Sequence, residues 1–257
     1  MSQLSDLQSF VRQSEEVETP QALFHLLQNV GHEMRFNHFA LVHHVDLRPV
    51  GTMTDHLVTP DFAVLSDYPQ YWVDQYISES IVEDDPVLVA SQRMATVFSW
   101  DSVPSIINLS SEQKKITEMT RKAGLVGGIT IPIHIPGELN GSCHFAITEG
   151  HELPRQNTYM AQSVGSFAFE AARRLMRRLQ RIPRGNPPKL SHRQIECIVF
   201  AGKGKTNWEI GTILGISPET VKSHLSNAQA AYGINSRMQL VTRTLFDGII
   251  SMNDVVQ

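Results

Sequence analysis

Cysteine is scarce: Cys143 and Cys197 are the only two in 257 residues, with no CxxC and no His/Cys metal spacing. That argues against a disulfide framework and against a zinc module. No His pair stands at helical ligand spacing beside a carboxylate, so neither a metal nor a cofactor is expected. Long apolar runs are missing too, and nothing approaches the roughly 18 consecutive apolar residues of a membrane span. The first residues, MSQLSDLQSFVRQSEEVE, are acidic and polar, unlike a signal or transit peptide. The expected location is the cytoplasm, with no membrane partner. Signatures of catalysis are equally thin: no nucleophile elbow, no metal motif and no second suitably spaced catalytic carboxylate, so the chain is not expected to be an enzyme. What remains is 41% hydrophobic and 19% charged, which excludes wholesale disorder, and the length suits two domains.

The net charge of −4 hides a split. Residues 1–170 carry 9 Lys and Arg against 21 Asp and Glu, whereas residues 171–257 carry 13 against 5. An acidic body with a basic end fits a nucleic-acid module fused to something else. The densest run is Arg173, Arg174, Arg177, Arg178, Arg181 and Arg184; a solvated helix end suits such cations equally well. The composition then changes at Ile182-Pro183-Arg184-Gly185-Asn186-Pro187-Pro188, whose three prolines and one glycine suit a linker. The expected organisation is therefore a first domain over 1–181, a linker over 182–188 and a second domain over 189–257.

Three helix starts follow the linker. Ser191-His192-Arg193-Gln194 and Thr206-Asn207-Trp208-Glu209 have capping-box spacing. Ser217-Pro218-Glu219 offers a Ser cap and a Pro at the first helical position. Gly215 marks a tight turn between a helix of about eight residues and a longer one, as in a helix-turn-helix. On the longer helix, Val221, Leu225, Ala228 and Tyr232 recur at the spacing of one buried face. Thr220, Lys222, Ser223, Ser226 and Asn227 occupy the rest, short donors and one cation that suit a major groove. Lys203, Lys205 and Thr206 lead into the preceding helix, whose N-terminal amides can meet a phosphate. The same pattern also suits a protein-binding helical bundle.

The stretches Leu190-Ser191-His192-Arg193, Gly204-Lys205-Thr206-Asn207-Trp208-Glu209-Ile210, Ile213-Leu214-Gly215-Ile216-Ser217 and Thr220-Val221-Lys222-Ser223-His224-Leu225 resemble the DNA-binding domain of LuxR-type regulators. There are two departures. Gln194 stands where the family usually has Glu, and Gln229-Ala230-Ala231-Tyr232 lacks the cation common late in the recognition helix. Weaker phosphate attraction is expected there.

In the first domain, helical periodicity covers 20–34, a strand 38–44, and a polar stretch leads to Tyr68. Helices are expected over 71–80 and 111–122, strands over 128–135 and 142–148 joined by a turn with Pro136-Gly137 and Asn140-Gly141, and a long helix over 156–180. The acidic cluster Glu83-Asp84-Asp85 follows a helical segment, not a first strand, which speaks against a phosphoreceiver. Helices on both sides of strands make three layers able to enclose a pocket. Tyr68, Trp72 and Tyr76 stand at i, i+4 and i+8, and share a face if a helix begins early enough. A carboxylate such as Asp85 among these rings suits an apolar molecule with an amide N–H; an ordinary aromatic core explains the stripe as well.

Tyr68-Pro69-Gln70-Tyr71-Trp72-Val73-Asp74-Gln75-Tyr76, Asp85-Pro86-Val87-Leu88, Trp100 and Ala123-Gly124-Leu125-Val126-Gly127-Gly128 resemble the acyl-homoserine-lactone-binding domain of the same regulators. The resemblance implies an α-β-α sandwich with a mainly antiparallel sheet, followed by the all-α helix-turn-helix domain. It implies that Trp72 donates to the lactone carbonyl, Asp85 accepts from the amide N–H and Tyr68 donates to the amide carbonyl. Tyr76 and Trp100 would wall the pocket, and Gly128 would allow a helix to approach a strand. One position departs: His144 stands where many relatives place a small hydroxyl residue near the ligand amide. Strand alternation puts Ala40, Val42 and His44 on one face, which by resemblance points into the pocket. A register displaced by one would turn such histidines to solvent. Turned inward, they would favour a short or oxygenated ligand.

The expected function is a transcription regulator that senses an acyl-homoserine lactone in quorum sensing and binds double-stranded promoter DNA as a homodimer, with RNA polymerase a further candidate partner. The long Arg-rich helix and a final helix over 238–246 are candidate dimer surfaces. The alternatives are an orphan receptor for a foreign or non-lactone signal, a repressor, or a protein-binding adaptor with weak DNA binding.

Overall fold

A computed structural model describes residues 3–43, 64–135, 140–178 and 187–256. The chain divides into two compact units, the first taking in nearly all residues up to 182 and the second starting at Pro183.

The first unit opens with α1 (Gln3–Glu16) and α2 (Pro20–Glu33), the latter started by Thr19, whose hydroxyl accepts the Ala22 N–H, and by Pro20 in the first turn. Then come β1 (His38–His43), β2 (Val64–Ser66), α3 (Gln70–Ser78), α4 (Pro86–Ser91), β3 (Phe98–Ser99), α5 (Val103–Ile106), α6 (Ser111–Lys122), β4 (Gly127–Ile133), β5 (Gly141–Ile147) and α7 (Thr158–Arg178). A Ser110/Gln113 capping box starts α6. Five elements escape the sequence patterns: α1, α4, β3, α5 and the three-residue strand β2 inside the stretch read as polar.

The strands form one antiparallel sheet in the order β2-β1-β5-β4-β3. β5 is central and buried along its whole length, because both faces of the sheet are covered. On one face Cys143 meets Gly165 of α7 and Phe145 meets Gly31 of α2. On the other, α3 to α6 stand over Ala40, His144 and Thr130, which lie side by side across three strands. A guanidinium ties α1 to this body: Arg174 on α7 donates to the carbonyls of Ser14 and Val17, 2.9 and 3.0 Å away, at the end of α1.

The second unit is helical: α8 (His192–Gly202), α9 (Asn207–Leu214), α10 (Pro218–Tyr232), α11 (Arg237–Phe246) and α12 (Met252–Val256). The predicted final helix, α11, is thus followed by another, which lies against α8. Both capping boxes form, and Ser217 caps α10 by accepting the Thr220 N–H. Gly215 takes φ +68°, the left-handed conformation that ends α9 without a side-chain clash. Ile198, Ile210, Val221, Leu225, Ala228 and Leu240 meet in one core.

No helix among the described residues is long and apolar enough to cross a membrane, and no group of metal-ligating side chains occurs among them. His44, the Pro136-Gly137 turn and most of the 182–188 linker lie outside the described residues, as do Arg181 and Arg184 and the side chains of Arg177 and Arg178.

Candidate functional site

Eight of the nine side chains singled out in the first domain line one cavity of about 270 Å3; the ninth, His44, lies outside the described residues. They reach it from six places. Ala40 and Val42 come from β1, and His144 from β5. Trp72 and Tyr76 come from α3, Asp85 precedes α4, and Trp100 follows β3. Tyr68 precedes α3 and is not part of it, because that helix begins at Gln70. The i, i+4, i+8 spacing of the rings is therefore helical only from Trp72 onward.

Each polar group is fixed by identifiable neighbours. Ser80, at φ +53°, reverses the chain after α3 and brings Asp85 back beneath Tyr76. Tyr76 Oη then donates to Asp85 Oδ2 at 2.7 Å, while Asp85 Oδ1 accepts the Val87 N–H at 2.7 Å and so caps α4. Burial pushes the Asp85 carboxyl above its ordinary range; the bonds from Tyr76 and from the Val87 and Leu88 amides pull it back down. Three donors on the two oxygens leave the carboxylate room for one more, a ligand donor.

Tyr68 is held through its backbone. Its N–H donates to Ser66 Oγ at 3.1 Å, and the preceding Asp67 accepts the Phe39 N–H at 2.7 Å and pairs with His38 at 3.5 Å. Its hydroxyl is buried without a hydrogen-bond partner among the described residues. Burial also pushes the Tyr68 phenol well above its usual range, so it remains a neutral O–H donor. An orphaned buried hydroxyl costs on the order of 1–3 kcal/mol, which a ligand acceptor would relieve.

Trp72 is buried and meets Tyr76 edge-on, with centroids 5.8 Å apart at 68°. The Trp100 indole N–H donates to Thr130 Oγ1 at 3.0 Å, which lays its ring over Gly128. A Cβ at 128 would stand 2.8 Å from that ring and 2.6 Å from the Phe145 carbonyl. Gly128 thus makes room for a pocket-wall ring and for the neighbouring strand, where the resemblance implied room for a helix.

His144 faces the cavity side of the sheet and is buried. Its Nδ1 lies 2.9 Å from Thr130 Oγ1 and its Nε2 lies 2.6 Å from Ser142 Oγ. Both nitrogens are turned to hydroxyls of the sheet. The wall also includes residues the aromatic pattern does not indicate, notably Ile116, Thr117 and Thr120 of α6. Their i, i+1, i+4 spacing was the available signal.

In the second unit, Thr220, Lys222, Ser223, Ser226 and Asn227 are all exposed on α10, opposite buried Val221, Leu225 and Ala228. Two of the selected hydroxyls also serve caps. Thr206 donates to Glu209 Oε2 at 2.8 Å and accepts the Glu209 N–H, and Thr220 Oγ1 lies 2.9 Å from Ser217 Oγ. Lys205 is half-buried, and its carbonyl accepts from Arg237, which also holds Asn207 Oδ1 at 2.7 Å.

The basic character of the chain's end is not located on this unit. Residues 189–257 hold 7 Lys and Arg against 5 Asp and Glu. Arg193 pairs with Glu196 at 3.0 Å, Lys205 with Glu209 at 3.9 Å and Arg243 with Asp247 at 3.4 Å. Lys203 lies over the Phe200 ring, and Arg237 is engaged as described. Lys189 and Lys222 are the exposed cations of this unit with neither an ion-pair partner nor a ring contact among the described residues. Most of the positive excess sits in the arginine run before the linker, where Arg173 pairs with Glu170 and Arg174 holds α1.

Comparison with known proteins matches residues 19–175 to the autoinducer binding domain and residues 188–244 to the luxR family of bacterial regulatory proteins. The chain is 30% identical over 200 residues to the transcriptional activator protein VanR of Vibrio anguillarum, covering 76% of this chain and 80% of that one. It is 25% identical over 235 residues to the regulatory protein SdiA of Escherichia coli, covering 91% and 92%. Its fold is similar to that of SdiA in complex with octanoyl-rac-glycerol, with a TM-score of 0.66 at 23% identity over 98% of each chain.

Proposed function

The chain belongs to the luxR family of bacterial transcription regulators that carry an autoinducer-binding domain, and from that premise we propose how it binds its signal and DNA. The small-molecule signal is an acyl-homoserine lactone buried in the cavity over the sheet. The observation that carries this reading is the Tyr68 hydroxyl, a buried donor without a partner among the described residues, in the same cavity as the Asp85 carboxylate, an acceptor with room for one more donor. Together they complement an amide, with Tyr68 donating to its carbonyl and Asp85 accepting its N–H. Trp72 donates to the lactone carbonyl, and Tyr76, Trp100, Ala40, Val42 and His144 wall the acyl group.

The signal-bound protein acts in the cytoplasm as a homodimer on promoter DNA. Thr220, Lys222, Ser223, Ser226 and Asn227 meet base edges and phosphates, and Lys205 and Thr206 flank them. The two recognition helices then lie about one DNA turn apart. Tyr159 and Phe167, exposed on α7, and Met238, exposed on α11, are candidate dimer contacts. RNA polymerase is a further candidate partner.

Native mass spectrometry and thermal melts of protein expressed with and without acyl-homoserine lactones test the ligand. Retained lactone mass with a raised melting temperature is expected. A protein indifferent to every lactone would sink the lactone assignment and leave the fold untouched. A monoacylglycerol belongs in the same panel, because the Asp85 carboxylate accepts a glycerol hydroxyl as readily as an amide N–H.

A further inference from the structure

We infer that His144 is a specificity-determining residue that acts as an aromatic floor and limits the ligand to a compact acyl group. The inference rests on the lactone reading above and concerns which lactones the cavity admits.

His144 sits at the centre of the sheet, directly opposite Ala40 on one neighbouring strand and Thr130 on the other. Its two nitrogen contacts, Thr130 and Ser142, are fully buried and do not reach the cavity wall, whereas His144 itself does. The nitrogen edges of the ring are therefore turned sideways, to neighbours on the same face of the sheet. What the cavity meets is the ring's carbon surface.

A chain of hydrogen bonds fixes this pose. Trp100 Nε1–H donates to Thr130 Oγ1, which also lies 2.9 Å from His144 Nδ1. His144 Nε2 in turn lies 2.6 Å from Ser142 Oγ. The neutral Nε2–H tautomer satisfies every one of these contacts.

A polar residue is thereby converted into a fifth ring of the cavity, beside Tyr68, Trp72, Tyr76 and Trp100. Pinned at both nitrogens, it cannot swing aside as a free side chain would. The remaining volume, about 270 Å3, lies just below the roughly 300–1,000 Å3 of ordinary ligand pockets. The complementary ligand has a short or flat acyl group rather than a long flexible chain.

The test uses thermal shift and native mass spectrometry of the full chain with N-butanoyl-, N-hexanoyl-, N-octanoyl- and N-dodecanoyl-homoserine lactone. The unmodified protein is expected to prefer butanoyl or hexanoyl. His144→Ala should move the optimum to octanoyl or dodecanoyl, changing the long-to-short affinity ratio by at least about tenfold. His144→Phe, which keeps a ring and loses both nitrogens, should retain the short-chain ranking. An unchanged ranking in His144→Ala, or a His144→Phe protein that ranks ligands as His144→Ala does, would overturn the inference. If the His144 variants fail to fold, Ala40→Val narrows the same floor from the facing position. It should penalise octanoyl more than butanoyl, and equal penalties would count against the floor. Silence of every lactone on the unmodified protein would overturn the lactone reading, and this inference with it.

Discussion

In the first unit the proposed functional side chains converge on a buried cavity, and half of them are already hydrogen-bonded to the fold; in the second, five of the seven stand exposed on one helix whose core contacts lie on its other face. Asp85 caps α4 and holds Tyr76, and Trp100 leans on Thr130. Lys222, Ser223, Ser226 and Asn227 project from α10, whose core contacts are made by other residues. A pocket built from core residues ties signal binding to stability. A surface built on a finished core leaves DNA binding free to change without unfolding the domain.

The sharpest way to break that contrast is to alter one residue of each kind. Trp72→Ala should destabilise the first unit by about 3–5 kcal/mol, a large share of a domain's total stability, as followed by chemical denaturation. An equally large loss from Lys222→Ala would erase the distinction, since exposed substitutions usually stay within about 0.5 kcal/mol. Tyr68→Phe sharpens it next. Removing the orphaned hydroxyl should leave the ligand-free protein as stable or more so, yet weaken ligand binding by about 1–2 kcal/mol, measured by titration calorimetry. A Tyr68→Phe protein that lost stability and kept its affinity would show that the hydroxyl serves the fold.

A smaller effect concerns DNA. With so few unpaired cations, the second unit should contact on the order of two or three phosphates per protomer, so affinity for a random duplex should depend shallowly on salt. Fluorescence anisotropy across a salt series should show Lys222→Ala reducing the slope by about one per protomer. A steep slope, or one indifferent to Lys222, would place the phosphate contacts elsewhere, with the arginine run the first candidate.

The smallest expected effect is a pH dependence near Tyr68. The hydrogen bond to Asp67 raises the His38 pKa above its ordinary 6.5, against the opposing effect of burial. The folded state therefore holds the proton more tightly than the unfolded one. The stabilisation is complete below about pH 6.5 and is lost as pH rises through the folded value. Melting curves from pH 5 to 8 should show that decline, and Asp67→Asn should flatten it.

The second unit was the more legible in sequence because its signals are local. Capping boxes, a Pro in the first turn and a glycine turn all lie within four residues of the structure they create. The charge asymmetry was legible as a total and misleading as a location, because composition does not reveal that Arg193, Lys205 and Arg243 face acids one turn away. The cavity was half legible. Its rings stand out by type, but Tyr68 belongs to a connection rather than to a helix, and the α6 wall carries no rare residue. The inward face of His144 follows from strand alternation only once the register is known, and its partners depend on a pairing with β4 that no local pattern encodes. Strand β2 is too short for any alternation to show.

Gly128 gives the cavity a vulnerability that no inventory of ligand contacts would disclose. The Trp100 ring rests where a methyl group is missing, and the same indole anchors Thr130, which in turn orients His144. A single carbon added at 128, out of reach of any signal molecule, would displace one wall and loosen the next two. Ligand preference in this protein can therefore drift through a residue that never meets the ligand, and a survey restricted to the lining would attribute the change to the wrong place.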